Sequence, residues 1–227
     1  MTLPAPPTIL IPMTTGAAFP VRRVFCIGRN YAAHAREMGN DDREPPFFFT
    51  AWAETVVADT DGIAYPQSTS DYHHEVELVV ALGLSGRDVP VETALDLVHG
   101  YGVGLDMTRR DLQAIAKDAG RPWDVAKNVE QSKPVATLAP AAGFDPTAGA
   151  ITLSVNGERR QTGDLSDMIW SVAEVIAYLS RFYRLEPGDL IFTGTPSGVG
   201  PVVQGDVLTA SVAGLPDLTV TVGPPAV

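Results

Sequence analysis

Short apolar runs separated by glycine and proline predict a chain made mainly of β-strands. The runs lie at residues 8–12, 22–27, 47–49, 74–82, 101–107, 151–155, 190–193, 207–213 and 217–222. Many are rich in β-branched and aromatic side chains and are bounded by turn-forming residues, which is typical of strands. Asn156-Gly157 joins one run to a polar segment at 158–161, and this dipeptide predicts a type I′ hairpin.

Four segments carry helix signals instead. They are 31–38 after the capping residue Asn30, the stretch from Pro90 to Val98, 109–119 after the capping residue Thr108, and 171–183, which opens with the capping box Ser171-Val172-Ala173-Glu174. Strands and helices do not alternate regularly, so we expect an α+β fold with a mixed or antiparallel sheet. The proline- and glycine-rich stretch 134–149 is interpreted as a loop within one domain.

Composition and charge narrow the function classes. The chain has 227 residues, of which 45% are hydrophobic and 19% charged, so a sizeable core is expected. A net charge of −11 argues against a nucleic-acid partner, and no apolar run approaches membrane-spanning length. The single cysteine, Cys26, fits a reducing compartment, and prolines interrupt the start of the chain, so no secretion signal is expected. These features predict a cytoplasmic protein without a membrane partner.

The most informative chemical feature is the pair Glu75 and Glu77 in the predicted strand 74–82. Residues two apart on a strand share a face, so the two carboxylates repel unless a cation or a proton lies between them. Asp106 ends a later apolar run and offers a third oxygen ligand, so the three residues form a candidate site for a hard divalent cation. The alternatives are two solvated glutamates on a half-exposed strand, and an aspartate that serves a turn or a cap.

Two pairs spaced three residues apart on predicted helices are candidates for catalysis and binding. Glu37 is placed to orient the imidazole of His34, which then takes a proton from water. Arg110 is suited to a carboxylate, and Gln113 adds a hydrogen-bond donor beside it. The alternative for His34 and Glu37 is a surface ion pair, and the alternative for Arg110 and Gln113 is a solvated helix face.

Lys127 and Thr195 complete the candidates. Lys127 follows the partly apolar stretch 122–126 and is suited to stabilising an oxyanion or donating a proton, although a surface lysine is the alternative.

The glycine-rich loop 194–200 lacks the Gly-Lys-Ser/Thr ending of a phosphate loop, so nucleotide binding is not predicted. Its backbone amides or the Thr195 hydroxyl are suited to ligand contact, and an ordinary turn is the alternative.

The order of these segments along the chain resembles the fumarylacetoacetate hydrolase family. The segments are 28–34, 74–78, 104–113, 120–123, 168–170 and 187–196, and the resemblance runs from about residue 20 to the C-terminus. Within the family, the chain is most similar to short members that act on acylpyruvates.

The resemblance implies a mixed β-roll with short surrounding helices, and usually a homodimer. It implies an N-terminal extension or edge segment at 1–20 and a single catalytic domain at 21–227. It further implies Mg²⁺ or Mn²⁺ held by Glu75, Glu77 and Asp106. The remaining implied roles are catalysis for His34, Glu37 and Lys127, and binding of a small keto-acid substrate for Arg29, Arg110, Gln113 and Thr195.

The activity implied by the resemblance is metal-dependent hydrolysis of a C–C bond in a β-diketo acid. Fumarylpyruvate or another acylpyruvate would give pyruvate and a carboxylic acid such as fumarate. The alternatives are oxaloacetate decarboxylation, a 2-hydroxymuconate-type isomerisation or decarboxylation, and a non-catalytic metal- or ligand-binding protein. The pair His34 and Glu37 favours hydrolysis, because decarboxylation needs no activated water.

Two departures from the family pattern bear on the substrate. Ala51-Trp52 stands where similar proteins often carry Lys-Pro, and Asn128-Val129 stands where many carry a phenylalanine. The lining of the substrate pocket is therefore expected to differ.

Overall fold

The structure is a computed structural model that describes residues 8–31, 44–58 and 62–225. The strands are β1 Leu10–Pro12, β2 Ala18–Pro20, β3 Arg23–Gly28, β4 Phe47–Ala51, β5 Val56–Ala58, β6 Gly62–Ala64, β7 Tyr72–His74, β8 Val76–Leu82, β9 Val98–Leu105, β10 Thr108–Arg109, β11 Lys133–Val135, β12 Ala139–Pro140, β13 Ala150–Val155, β14 Glu158–Asp164, β15 Asp189–Phe192, β16 Gly200–Val202, β17 Val207–Val212 and β18 Leu218–Gly223. The α-helices are Arg110–Asp118, Asp124–Lys127 and Val172–Phe182, and the 3₁₀ helices are Ala53–Thr55, Val91–Leu97 and Leu165–Asp167.

Two large sheets form the body of the molecule. The larger has the order β4-β3-β15-β8-β9-β11-β5, with β12 paired to β9, and the second has the order β14-β13-β17-β18-β6. Both are mixed, since β3–β15, β5–β11 and β6–β18 are parallel pairs among antiparallel ones. Smaller sheets join β1 to β2 and β10 to β7 and β16. This arrangement confirms the predicted α+β fold. No helix in the described ranges is long and apolar enough to cross a membrane.

Strand β8 is buried along its whole length because its two faces pack against different cores. The side chains at 76, 78, 80 and 82 belong to the main core, which also contains residues of β13, β17 and β18 and the helix Val172–Phe182. Val79 and Ala81 on the other face pack in a second core with residues of β1, β2 and β3. Glu77 shares this second face, so the alternation of the strand places its carboxylate inside the protein.

The two strongest local signals in the sequence are confirmed. Asn156 and Gly157 have φ angles of 51° and 81°, as a type I′ turn requires, and they join β13 to β14. Ser171 and Glu174 form a reciprocal capping box at the start of the helix Val172–Phe182. Both motifs satisfy their backbone groups locally, so packing elsewhere does not override them.

Other local predictions are wrong in detail. The strand predicted at 74–82 is two strands, β7 and β8, with Glu75 at the break between them. The helix after Pro90 is a 3₁₀ helix. Thr108 does not cap a helix, because it pairs with His73 in the β7–β10 ladder and its hydroxyl donates to the Asp106 carbonyl at 3.0 Å.

Two further corrections concern segments predicted as a loop and a helix. The stretch 134–149 contains part of β11 and all of β12. Tyr31, predicted to begin a helix, forms an isolated β-bridge with Met168. The rest of that predicted helix, 32–38, lies outside the described residues.

Gly104 of β9 lies directly opposite Glu77 of β8, and the approach leaves no room for a side chain. A Cβ atom there would lie 2.7 Å from Val79 Cγ2 and 2.8 Å from Phe192 Cε1. Gly104→Ala is expected to lower the free energy of unfolding by about 1–3 kcal/mol, the usual cost of overpacking a core. Urea denaturation measures it, with Gly200→Ala as the control because a Cβ there lies 3.6 Å from its nearest neighbour. Equal stability of the two variants would contradict the prediction.

Candidate metal and substrate site

Three buried carboxylates meet at one end of the β8–β9 pair. Glu75 lies in the break before β8, Glu77 lies within β8, and Asp106 follows β9 directly. The Asp106 backbone N–H donates to the Glu75 carbonyl at 2.9 Å, which extends the pairing to the ends of both strands. One carboxylate oxygen from each residue lies within 4.8 Å of those of the other two. The solvated alternative for Glu75 and Glu77 is therefore wrong.

Two buried lysines neutralise part of this acidic cluster. Lys127 Nζ donates to Glu75 Oε2 at 2.7 Å and to Asp106 Oδ2 at 3.0 Å. Lys133 Nζ donates to Asp106 Oδ1 at 2.6 Å and to the Lys127 carbonyl at 3.1 Å. Burial by itself lowers the pKa of Lys127, but the charges of Asp106 and Glu75 outweigh it and raise that pKa above its ordinary value. Lys127 is therefore an ammonium ion held inside the site, not a surface lysine.

Lys133 is a residue of this site that is not among those predicted from the sequence. Its side chain is fully buried, and its only charged partner is Asp106 among the described residues. The signal in the sequence was weak: a lysine placed directly before the apolar run 134–136.

Glu75 and Glu77 have opposite electrostatic environments. Burial opposes ionisation of Glu75, yet the charges of Lys127 and Arg110 lower its pKa well below the ordinary range. For Glu77, burial comes first and the charges of Asp106 and Glu75 add to it, so its pKa is raised well above the ordinary value. Its Oε2 accepts the Gly194 N–H at 2.7 Å, and no cationic side chain in the described ranges pairs with it.

This donor set fits a divalent cation. Three carboxylates converge within reach of one ion, and hard divalent cations prefer carboxylate oxygens. A buried carboxylate that lacks a cationic partner is costly, and Glu77 is such a group within the described part of the chain. A cation bound by Glu75, Glu77 and Asp106 would remove that cost.

Arg110 and Gln113 form one side of the site. Arg110 Nη1 donates to Gln113 Oε1 at 2.7 Å across one face of their helix, and Nη2 donates to Glu75 Oε1. Gln113 is only 4% exposed, so the solvated helix face is wrong for this pair. Behind them, the Arg110 Nε faces His73 Nδ1 at 3.4 Å, and His73 Nε2 lies 2.7 Å from Asp71 Oδ1. The contact of Arg110 with His73, and of His73 with Asp71, is not predicted from the sequence.

All the predicted site residues that the structure describes border one cavity. They are Arg29, Glu75, Glu77, Asp106, Arg110, Gln113, Lys127 and Thr195. Arg29 holds a left-handed backbone conformation with φ of 60°, which a non-glycine residue rarely adopts and which is frequent at functional sites. His34 and Glu37 lie outside the described residues.

A wider cavity of about 610 Å³ adjoins the metal cavity. Both cavities share the lining residues Arg29, Phe49, Lys117, Trp123 and Lys127. The wider one adds further aromatic and cationic side chains, among them Phe47, Phe48, Arg121 and Tyr183. A ligand that reaches the carboxylate cluster therefore has room for an extended second half.

The two departures from the family pattern contact each other at this wider cavity. The Trp52 backbone N–H donates to Asn128 Oδ1 at 2.8 Å, and Asn128 lines the cavity. A proline at position 52 would have no N–H to donate. The two departures are therefore one structural feature.

Comparison with known proteins gives three consistent results. A family model described as fumarylacetoacetate (FAA) hydrolase C-terminal matches residues 23–223. A fumarylpyruvate hydrolase of Ralstonia sp is 48% identical over 181 residues, covering 80% of this chain and 94% of that protein. An oxaloacetate tautomerase of Escherichia coli (strain K12) is 44% identical over 199 residues, covering 86% and 90%.

A solved structure agrees with the sequence comparisons. The crystal structure of fumarylpyruvate hydrolase from Pseudomonas aeruginosa in complex with Mn²⁺ and pyruvate matches with a TM-score of 0.95 at 50% identity. The match covers 99% of this chain and 100% of that one.

Proposed function

Because this chain belongs to the fumarylacetoacetate hydrolase family, we propose that it is a metal-dependent hydrolase that cleaves a C–C bond in an acylpyruvate of the fumarylpyruvate type. The products would be pyruvate and a carboxylic acid. The observation that carries the proposal is one cavity that is bordered by three buried carboxylates, four cationic side chains and Gln113. The family resemblance inferred from the sequence is confirmed.

Glu75, Glu77 and Asp106 would hold the metal ion, for which we propose Mg²⁺ or Mn²⁺. Support comes from their carboxylate chemistry and from the similar structure that contains Mn²⁺. When bound, the ion would supply Lewis-acid polarisation of the keto-acid oxygens.

The side chains around the carboxylates would bind and orient the keto-acid end. Arg110 presents a guanidinium suited to a substrate carboxylate, and its bond to Gln113 fixes the position of both side chains. Lys127 is an ammonium held in place by Glu75 and Asp106, so it offers a fixed positive charge to an oxygen that gains charge during cleavage. Arg29 and Thr195, which border the same cavity, would complete the substrate contacts.

Water activation is assigned to His34 and Glu37. We propose that Glu37 orients the His34 imidazole and that the other ring nitrogen takes a proton from water. The support for these roles is the residue spacing and the family resemblance. The resulting hydroxide would add to the distal carbonyl. Collapse of this tetrahedral intermediate would break the C–C bond, with the electron pair leaving on the pyruvate part as an enolate, which takes the proton back to give pyruvate.

The wider cavity is suited to the acyl half of the substrate. Its volume of about 610 Å³ lies in the usual range for ligand pockets. Aromatic side chains such as Phe47 and Trp123 favour a flat, unsaturated group. Lys117 and Arg121 border the cavity, and neither pairs with a carboxylate among the described residues. An acyl group that ends in a second carboxylate, as in fumarylpyruvate, matches this lining.

The substitution Arg121→Gln tests this acyl subsite, because Arg121 borders the wider cavity and not the metal cavity. We expect KM for fumarylpyruvate to rise about 3- to 10-fold, since exposed charge pairs contribute modestly, and KM for acetylpyruvate to stay nearly constant. Steady-state assays on both substrates measure the ratio. Arg159→Gln is the matched control, because Arg159 is exposed on β14 and borders neither cavity. An equal rise for both substrates would contradict a carboxylate subsite.

Oxaloacetate tautomerisation or decarboxylation is the second candidate function. It is favoured by the 44% identical tautomerase, and these reactions do not need the activated water that hydrolysis requires. Assays with fumarylpyruvate, acetylpyruvate and oxaloacetate, with metal and with a chelator, separate the two candidates. Pyruvate released together with the matching acid supports hydrolysis. Carbon dioxide or keto–enol conversion from oxaloacetate, with acylpyruvates untouched, supports the second candidate.

Other properties stay predictions of the sequence. They are a homodimer, a cytoplasmic location, and the division into a segment at 1–20 and a catalytic domain at 21–227.

A further inference from the structure

Gln161 connects the second large sheet to the loop that carries Thr195. It lies in β14 and is fully buried. Its Nε2 donates to Thr195 Oγ1 at 2.8 Å and to the Pro196 carbonyl at 2.8 Å. Its Oε1 accepts the Val76 N–H at 3.1 Å and lies 2.9 Å from His74 Nδ1. Both hydrogens and both acceptor positions of the amide are therefore used.

Two partners fix the orientation of the Gln161 amide, because one can only donate a hydrogen bond and the other can only accept one. The Val76 N–H can only donate, so the atom that faces it is the amide oxygen. The Pro196 carbonyl can only accept, so the atom that faces it is the amide nitrogen. It follows that His74 Nδ1 carries a hydrogen and that Thr195 Oγ1 accepts one.

A hydroxyl that accepts from Gln161 has its own hydrogen left to donate. Within the described ranges, the Thr195 hydroxyl donates to no protein acceptor, and Thr195 borders the metal cavity. We propose that Gln161 is a positioning residue that directs the Thr195 hydroxyl as a donor to the carboxylate or keto oxygen of the bound substrate. The identity of that ligand rests on the proposed function.

The same amide also aligns the metal-binding strand. Val76 stands between Glu75 and Glu77, and its N–H bond to Gln161 holds this part of the chain against the loop that carries Thr195. One buried side chain thus sets the distance between the carboxylate cluster and the hydroxyl donor. Such indirect support of a contacting group is commonly needed for a well-oriented site.

A double-mutant cycle in the Mn²⁺-loaded protein tests the proposal. The probe is pyruvate, and its dissociation constant is measured by calorimetry for the parent, Gln161→Met, Thr195→Val and the double variant. We expect Thr195→Val to weaken binding roughly 10-fold, since it loses a hydrogen bond to a charged ligand, and Gln161→Met roughly 3- to 10-fold, since the Thr195 hydroxyl then loses the partner that orients it. At saturating Mn²⁺ the double variant should bind no more weakly than Thr195→Val, because Gln161 then has no hydroxyl to direct, and loss of its contact with Val76 is detected separately as a change in Mn²⁺ affinity. Factors that multiply in the double variant would overturn the proposal.

Two further variants separate positioning from folding. Thr195→Ser keeps a hydroxyl, so Gln161→Met in that background should again weaken pyruvate binding 3- to 10-fold, as in the parent. Gln161→Glu keeps an acceptor for Val76 and His74 but offers Thr195 no amide donor, so it should weaken binding as Gln161→Met does. Mn²⁺ affinity and melting temperature are measured for each variant. Weaker pyruvate binding that follows only a loss of Mn²⁺ affinity would assign Gln161 a structural role and overturn the proposal.

Pyruvate binding needs no turnover, so the test is independent of the proposed hydrolase activity. A non-additive cycle in a protein that cleaves no acylpyruvate would support the role of Gln161 and reject the hydrolase. An additive cycle in a protein that cleaves acylpyruvates would do the reverse. Absence of pyruvate binding by the parent protein would overturn the inference.

Discussion

Replacing Glu77 with glutamine is expected to lower kcat/KM on an acylpyruvate by about 10³-fold or more, since Lewis-acid stabilisation is worth several kcal/mol and each 1.4 kcal/mol is a factor of ten. Glu77 is the one metal-ligand candidate without a cationic partner among the described residues, so its charge is available to a divalent ion. Glutamine has the same shape and keeps an oxygen for the Gly194 N–H. The substitution removes the negative charge and replaces the second oxygen with an NH₂ donor, which does not bind a cation.

The controls for Glu77→Gln distinguish loss of metal from loss of fold. Mn²⁺ affinity, measured by calorimetry, should fall steeply, whereas Glu158→Gln on the exposed part of β14 should change neither affinity nor rate. In the presence of a chelator, Glu77→Gln should melt no lower than the parent protein, because it removes a buried carboxylate that faces Asp106 and Glu75. Full activity of the variant at low Mn²⁺ would show that Glu77 is not a metal ligand.

Replacing His34 with alanine is expected to lower kcat on an acylpyruvate by about 10²- to 10⁴-fold, the usual contribution of a general base. The expectation rests on the spacing of His34 and Glu37 in the sequence. Rates at saturating metal and substrate give the measurement, and Glu37→Gln should produce a smaller loss in the same direction.

The reaction on oxaloacetate provides an internal control for the His34→Ala variant. Decarboxylation uses no activated water, so any such activity of the parent protein should survive the substitution, and Mn²⁺ affinity should be unchanged. If both activities fall together, His34 acts in binding or folding and not in water activation. Unchanged acylpyruvate turnover would reject any catalytic role.

The carboxylate cluster was predictable because it follows from strand geometry. Side chains alternate between the two faces of a strand, so Glu75 and Glu77 are predicted to share a face. Asp106 ends another apolar run, which could pair with the run that contains the two glutamates. The sequence does not show that the run with the glutamates pairs with the run before Asp106. In the structure these runs form the antiparallel pair β8–β9. The family resemblance, more than any single spacing, connected Asp106 to the other two.

Residues whose role depends on distant partners were not predictable. Lysine is rarely fully buried, so Lys133 carries no local sign that Asp106 pairs with it inside the protein. Gln161 ends the polar segment 158–161 and gives no sign of burial, yet packing places it at the site. For Thr108 the sequence does carry a local signal, the preference of threonine for helix N-caps, but strand pairing overrides it.

The contact between Trp52 and Asn128 bears on how relatives of this chain can exchange sequence. Because Asn128 accepts the Trp52 N–H, a proline introduced at position 52 would leave the amide oxygen without its donor. A residue at 128 that lacks a side-chain acceptor would likewise leave the Trp52 N–H without this partner. Exchanging one of these two positions alone between family members is therefore expected to cost this hydrogen bond, whereas exchanging both together replaces donor and acceptor at once.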